Sequence, residues 1–178
     1  MQFKGSRLCE KAYGCINVKV GDEQKVARMI QTVYPGVETC VVTQVKHKSK
    51  EGVRTYASDI MLPGYILFCT RQDMQVSQFL DITSVQRIVS YDDHQWYLRG
   101  EDLFYAKWVF ENKGKIGVSM VFMENDEINI TDGPLKDIKG SIIRIDKRNR
   151  NALVSLGFGR QTYKVWLAFE WMSSNVLH

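Results

Sequence analysis

The sequence predicts an α+β protein, in which an antiparallel sheet covered by helices is followed by a small all-β domain. Two observations favour this class. Up to about residue 110 the spacing of apolar residues switches between strand-like alternation and helical spacing, and beyond about residue 120 only the alternation continues. With 44% hydrophobic and 11% aromatic residues, the chain can bury a core, which a disordered composition cannot do.

Residues 1–111 are predicted to form the first domain. Gly14 to Val20 alternates like a half-buried strand, and Asp22 is placed to cap a following helix. An antiparallel sheet with helices packed on it is the economical architecture for the order of elements. The other predicted features are an apolar helix face (Val26, Met29, Ile30, Val33), a strand from Val41, an apolar segment Asp59–Thr70 broken at Pro63-Gly64, a helix with Val76, Phe79 and Leu80 facing inward, a strand Val85–Tyr91, and a helix Glu101–Phe110 with Leu103, Ala106, Lys107 and Phe110 on one side.

A polar, glycine-bounded stretch predicts a linker at 112–120, and residues 121–178 are predicted to form the second domain. Four or five short strands in about 55 residues, with no helix, favour a small closed barrel. Two predicted strands present alternating apolar faces, which are Ala152, Val154, Leu156 and Phe158 on one and Tyr163, Val165, Leu167 and Phe169 on the other.

The charge of the second domain is concentrated. The whole chain has a formal net charge of +4, which permits a polyanionic partner without requiring one. Residues 135–168, however, hold all the basic residues of the last third of the chain against only Asp137 and Asp146. This excess predicts a nucleic-acid contact in the barrel.

The residue types in the barrel favour RNA. Arg and Asn interleave after Lys147 and can together pair with phosphates and base edges. Trp166 lies on the strand face opposite Val165, where it can serve as a base-stacking platform; alternatively it folds over the barrel end against Trp171. The predicted RNA-binding residues are Lys136, Lys139, Arg144, Lys147, Arg148, Asn149, Arg150, Arg160, Lys164 and Trp166.

A second basic cluster lies in the first domain, where the run from Lys46 to Arg54 predicts a hairpin tip. One interpretation is a solvated hairpin that charge keeps soluble. The other is contact with a nucleic-acid backbone, which basic side chains make without reading sequence. The residues concerned are Lys46, Lys48, Lys50 and Arg54.

Several classes of protein are disfavoured. The first residues lack the apolar run of a signal peptide, and no stretch approaches the roughly 20 apolar residues that span a membrane, so we expect a cytoplasmic protein with no membrane partner. The four cysteines are scattered without metal-ligand spacing, which favours reduced thiols, with Cys15 and Cys69 packed on strands. The three histidines form no catalytic or metal pattern, so we expect no enzyme, metal or cofactor.

Four segments, in order along nearly the whole chain, together resemble the NusG family of transcription elongation factors. They are Lys11–Glu23, similar to the opening strand, Gly and Glu of its N-terminal domain; Leu62–Phe68, similar to the F-P-G-Y-V motif; Asp132-Gly133-Pro134-Leu135 with Gly140, similar to the KOW motif; and Phe158–Thr162 with Val165, Leu167 and Phe169, similar to the closing stretch. The resemblance implies an N-terminal NGN-type α/β sandwich and a C-terminal SH3-like barrel.

The resemblance also implies that the N-terminal domain binds the clamp helices of RNA polymerase through a hydrophobic depression. The matching positions are Tyr13, Leu62, Pro63, Gly64 and Tyr65, with Tyr13-Gly14 standing where the family commonly has Trp-Tyr. The residues alone also permit a β-bulge whose tyrosine packs in the core. Docked as in the family, the basic hairpin would point toward upstream or non-template DNA, and the protein is expected to be a monomer.

Two departures are similar to the specialised paralogue group called LoaP. Tyr163-Lys164 replaces a single proline after Thr162, and the turn from Ile145 to Ala152 is unusually basic. That resemblance implies antitermination in long operons, with the KOW domain recognising an RNA hairpin in the leader. The alternative is a general elongation adaptor whose barrel binds a ribosomal protein or Rho around Phe158. The charge of residues 135–168 favours the RNA-binding hypothesis.

Overall fold

The structure is a computed structural model that describes residues 10–91, 95–125, 127–138 and 141–172. Within these residues no helix is both long and apolar enough to cross a membrane. The elements in chain order are β1 (Lys11–Val18), α1 (Glu23–Val33), β2 (Glu38–Cys40), β3 (Thr43–Lys50), β4 (Val53–Ile60), β5 (Tyr65–Arg71), a 3-10 helix (Val76–Asp81), β6 (Val85–Ile88), α2 (Gly100–Glu111), β7 (Lys115–Ile116), β8 (Ser119–Glu124), β9 (Glu127–Asp132), α3 (Pro134–Asp137), β10 (Ser141–Asp146), β11 (Asn151–Phe158) and β12 (Gln161–Trp171). The predicted α+β class is confirmed.

Contacts divide the described chain into two compact units. The first contains residues 10–41 and 64–98, and the second contains 42–63 and 99–172. The β3–β4 hairpin and α2 therefore group with the C-terminal strands. The predicted domain limits of 1–111 and 121–178 stay a prediction; within the predicted linker at 112–120 the structure places β7 and the start of β8.

The first unit is built on one antiparallel sheet in the order β2-β5-β1-β6. β1 and β5 pair from Lys11 opposite Arg71 to Asn17 opposite Tyr65. One face of this sheet packs against α1, and each fully buried side chain there contributes about 1.5–3 kcal/mol by leaving water. Gly14 is required on β1, because a Cβ at that position would lie 2.2 Å from the ring of Phe68.

Two local predictions in this unit were wrong, and a third holds in position only. Asp22 is the N-cap residue of α1 as predicted, but its carboxylate makes no capping hydrogen bond and accepts one from the Ser84 hydroxyl at 2.6 Å. Met29 and Val33 lie on the exposed side of α1. Leu80 is 49% exposed, since the segment after β5 forms a 3-10 helix with three residues per turn and not the α-helix that would have turned Leu80 inward.

The second unit contains a five-stranded sheet in the order β10-β11-β12-β8-β9 and a three-stranded sheet in the order β4-β3-β7. The predicted alternation holds along β11, where the side chains of Ala152, Val154, Leu156 and Phe158 are all buried. Along the facing strand β12, Val165, Leu167 and Phe169 are buried and Tyr163 is half-buried. The five-stranded sheet is consistent with an SH3-like barrel.

Two predictions for this unit were wrong. The C-terminal region was expected to lack helix, yet α3 forms one turn after Gly133, with Pro134 at its first position where a missing N–H costs nothing. Lys107 was placed on the inward side of α2, but it is exposed. The buried residues of α2 include Tyr105, Trp108 and Val109, because the helix packs through its aromatic side.

Candidate nucleic-acid interface

The basic hairpin predicted from the sequence is formed by β3 and β4. Its turn is Glu51-Gly52, and both residues have positive φ, the backbone that matches the twist of a two-residue hairpin turn. Period-two alternation divides its side chains between two faces. Lys46, Lys48 and Lys50 share one face, and His47, Ser49, Arg54 and Tyr56 share the other.

The second face of the hairpin contacts the barrel strands of the same unit. Asn151, the first residue of β11, accepts a hydrogen bond from the backbone N–H of His47 (3.0 Å) and donates one to its carbonyl (3.2 Å). The Asn151 side chain thus pairs with the edge of β3 as a neighbouring strand would. Near the hairpin tip, Nη2 of Arg54 donates to the carbonyl of Arg148 at 3.0 Å.

Glu170 on β12 collects three partners at this contact. Tyr56 donates its hydroxyl to Oε1 (2.8 Å), Arg150 donates to Oε2, and Nε2 of His47 lies 3.1 Å from Oε1 without the alignment of a hydrogen bond. Burial alone would raise the pKa of the Glu170 carboxyl, but the hydrogen bonds from Tyr56 and Arg150 and the nearby charges outweigh it and lower that pKa below its usual 4.5.

The lowered pKa of Glu170 predicts that the stability of the fold depends on pH. A depressed folded-state pKa contributes stability that is present above the unfolded value near 4.5 and is lost as pH falls through the lower folded value. We expect Glu170→Gln to lower the free energy of unfolding at pH 7 and to flatten its decline below about pH 4.5. Urea unfolding at several pH values measures both effects. An unchanged acid profile in the variant would show that Glu170 is not the titrating group.

The β10–β11 turn presents the second set of cations. Asp146 accepts hydrogen bonds from the backbone N–H (2.9 Å) and side-chain amide (2.8 Å) of Asn149, and these two bonds lower the pKa of the Asp146 carboxyl. The bonds fix the turn, so that Lys147 and Arg148 extend outward and are exposed. Among the described residues, neither forms an ion pair.

The structure brings together only part of the predicted RNA-binding set. Lys147, Arg148, Asn149 and Arg150 form one end of the barrel, and Arg150 is ion-paired with Glu170. Arg160 lies in the turn at the opposite end of β11, an eight-residue strand and so about 26 Å away at 3.3 Å per residue. The remaining members are Lys164 on β12 opposite Ser155, Arg144 exposed on β10, Lys136 exposed on α3, and Lys139, which lies outside the described residues.

Trp166, the hairpin and the β10–β11 turn together line a concavity of about 330 Å³. The indole is half-buried, and Trp171, the alternative partner considered for it, instead packs its ring against Phe169 at 5.4 Å. The residues that line this concavity are Lys46, His47, Ser49, Asp146, Asn149, Asn151 and Trp166.

A separate feature of the first unit is the turn at Gly64, in the segment predicted to bind polymerase. Gly64 has φ +80°, and its carbonyl accepts hydrogen bonds from the backbone of Val18 (2.8 Å) and the amide of Asn17 (2.9 Å). Its N–H donates to Oε1 of Glu23 at 2.7 Å, while Oε2 of Glu23 accepts the N–H of Gly21 at 2.8 Å. Glu23 is 1% exposed and acts wholly within the fold.

The five predicted polymerase-binding positions differ in exposure. Leu62 is only 2% exposed and Gly64 is buried, so neither offers a side chain to a partner. Pro63 is exposed, and Tyr13 and Tyr65 are half-buried on the same face of the β1–β5 pair. Burial raises the pKa of the Tyr13 phenol, with a smaller contribution from Cys69. Within the first unit, the surface available in this segment is therefore formed by the two tyrosines.

A solved structure of NusG from Thermotoga maritima, described as showing domain interaction in that protein, is similar to this chain. The TM-score is 0.51 with 16% sequence identity, and the match covers 89% of this chain and 94% of that chain. The chain has a NusG-like fold. No family model matches the sequence, and no curated protein matches it significantly.

Within this NusG-like fold, the sequence did not reveal four residues that build the candidate interface. His47 stands between two lysines in the sequence, and Tyr56 lies on β4 shortly after the hairpin turn, so neither stands out as an interface residue. Glu170 is a single acidic residue at the end of an apolar strand, and Asn151 was noted only as a polar neighbour of the arginines. The only available signal was that two basic segments each contain polar residues able to pair with backbone.

Proposed function

We propose that this protein is a transcription elongation factor that binds RNA polymerase through the segment around Tyr65 and binds RNA through the hairpin and the β10–β11 turn. The similarity to NusG supports the general role. The RNA contact would make it an antiterminator of the LoaP type, recruited by a leader hairpin. We assign it no catalytic step.

The observation that carries the RNA contact is the meeting of two basic segments at one end of the second unit. Lys48 and Lys50 from the hairpin, and Lys147 and Arg148 from the turn, are exposed, and among the described residues they form no ion pair. The bond from Arg54 to the Arg148 carbonyl holds the two segments together. Unpaired exposed cations gain most from a phosphate backbone, because binding releases condensed counterions.

The alternative, a barrel that binds a protein around Phe158, receives less support. Phe158 is 2% exposed, and its ring packs against Tyr105 with centroids 5.1 Å apart. Partner contact through this side chain would first require it to leave Tyr105. The basic segments need no such rearrangement before they meet a polyanion.

The test is a salt titration of full-length protein with a short RNA stem-loop. Contact by four cations predicts a slope of log K against log salt of about −3, at 0.7 to 0.9 per phosphate. The double variant Lys147→Gln with Arg148→Gln should make that slope shallower by about 1.5, since two contacts are lost.

A matched control is Lys19→Gln with Lys25→Gln, which removes the same charge from exposed positions of the first unit. We expect this control to retain the wild-type slope. Equal slopes in both double variants would mean that binding follows net charge and not the proposed surface. A flat slope in the wild type would remove the RNA contact altogether.

A further inference from the structure

We infer that the concavity beside Trp166 is a binding pocket for one unpaired base of a single-stranded nucleic acid, stacked on the indole. This inference rests on the proposed function, because it describes what the same surface does besides holding phosphates. Lysine contacts to phosphates do not distinguish a base, and the pocket would provide that base contact.

The size and walls of the pocket suit one base. Its volume of about 330 Å³ is at the low end of the roughly 300–1,000 Å³ found for small-ligand sites. Trp166 offers a half-buried aromatic face, and Ser49 and Asn149 offer polar groups beside it. Bases stack on exposed aromatic rings in most proteins that bind single strands.

A second observation points to a ligand. The His47 side chain lines the pocket and is only 4% exposed, yet its Nδ1 has no hydrogen-bond partner among the described residues. A buried polar atom left unpaired costs about 1–3 kcal/mol. Both ring nitrogens of His47 are covered by the protein, so a base edge, which carries donors and acceptors, has to enter past that cover to satisfy one of them.

The charges around the pocket favour a nucleotide over an apolar ligand. Lys147 and Arg148 stand in the adjoining turn, so a base in the pocket would have its phosphates beside two exposed cations. Lys46 also lines the pocket, but its ammonium is ion-paired with Asp59. Asp146 also lines the pocket and is an anion, but both of its oxygens accept hydrogen bonds from Asn149, which hold the carboxylate in the turn. A duplex holds its bases stacked and cannot insert one without unpairing it.

The experiment compares the full-length wild type with Trp166→Ala and Trp166→Phe. The probes are oligouridine RNA, the matching oligothymidine DNA, and an RNA duplex with the same number of phosphates. We expect the wild type to bind the single strands more tightly than the duplex. Trp166→Ala should weaken single-strand binding about 5- to 150-fold, the stacking range of 1–3 kcal/mol, with no change in salt slope. Trp166→Phe should recover most of the affinity, because the ring is restored.

Fluorescence gives an independent measurement. Stacking on Trp166 should quench part of the emission of the wild type when oligouridine binds, and Trp166→Phe should lose that quenching while it still binds. This readout does not depend on the stability of the alanine variant. Tighter binding of RNA than of DNA would name RNA as the natural strand, and equal binding would show that the pocket does not read the 2′-hydroxyl; either result supports the pocket.

The outcomes separate failure of the base pocket from failure of the proposed RNA-binding function. Wild-type affinity and quenching in the Trp166 variants, with the salt slope intact, would overturn the base pocket and leave the RNA-binding function standing. Tighter binding of the duplex than of either single strand would overturn it as well. Absence of any salt-dependent binding would overturn the proposed function, and the pocket with it.

Discussion

Gly133→Ala is expected to destabilise the second unit strongly. Gly133 has φ +89°, where alanine is strained, and an added Cβ would lie 2.7 Å from Cα of Ser119 and 2.8 Å from the carbonyl of Val118. Both contacts are to backbone, which cannot rotate away. The strain costs about 1–3 kcal/mol, and the backbone movement that relieves the clash costs further free energy. That shift would also disturb the hydrogen bond from the N–H of Leu135 to the Ser119 hydroxyl (2.9 Å).

Thermal unfolding followed by circular dichroism measures this effect. A loss of about 3–4 kcal/mol in a chain of this length corresponds to a fall in Tm of about 10 °C. Two other glycines separate the causes. Gly159 has φ +60° with open space around it, so Gly159→Ala should cost only about 1 kcal/mol of strain. Gly117 has neither feature and should tolerate alanine. Similar Tm values for all three variants would contradict the clash.

The parts of the fold that sequence predicted best are those where a strand has one buried face. Val154, Leu156 and Phe158 are buried and alternate with Ser155 and Gly157, which are not. A strand that exposed the three large side chains would lose several kcal/mol of burial, so only one register is stable. Gly133 was recognisable from the sequence as part of a KOW-like motif. The structure shows why glycine is required there: the backbone of Ser119, fourteen residues away in the chain, leaves no room for a Cβ.

Helix faces were predicted less well because tertiary packing decides them. The segment around Leu80 has an apolar pattern that fits an α-helix, but a 3-10 helix turns the same residue outward. In α2, apolar or aromatic residues occupy several sides, so spacing alone could not choose between the side of Phe110 and that of Trp108. Helix propensity and apolar spacing therefore do not determine which side of such a helix is buried.

The candidate interface could be predicted in its parts but not in its assembly. Both basic segments were found from composition and turn signals. Their contact joins Arg54 to Arg148, which are 94 residues apart, and no local pattern encodes that distance. The residues that make the contact specific are polar groups such as Asn151, whose role at the start of β11 nothing in the neighbouring sequence indicates.

Glu23→Ala is expected to lose binding to RNA polymerase although Glu23 cannot touch a partner. Oε1 of Glu23 is the acceptor for the buried N–H of Gly64, and an unpaired buried donor costs about 1–3 kcal/mol. The turn can avoid that cost only by moving, which displaces Pro63 and Tyr65. Co-purification of polymerase with the tagged full-length protein measures the loss. Thermal unfolding of each variant shows whether the fold is retained.

Three companion variants identify the cause of the loss. Tyr65→Ala removes the proposed anchor and leaves the bonds of Gly64 in place, so it should lose polymerase with little change in Tm. Val33→Ala, on the exposed side of α1, should keep both binding and stability. Glu23→Gln retains Oε1 as an acceptor and loses only the bond to Gly21, so it should bind between the wild type and Glu23→Ala. Full binding by Glu23→Ala would show that the turn does not need its buried carboxyl, whereas full binding by Tyr65→Ala would place the polymerase contact elsewhere.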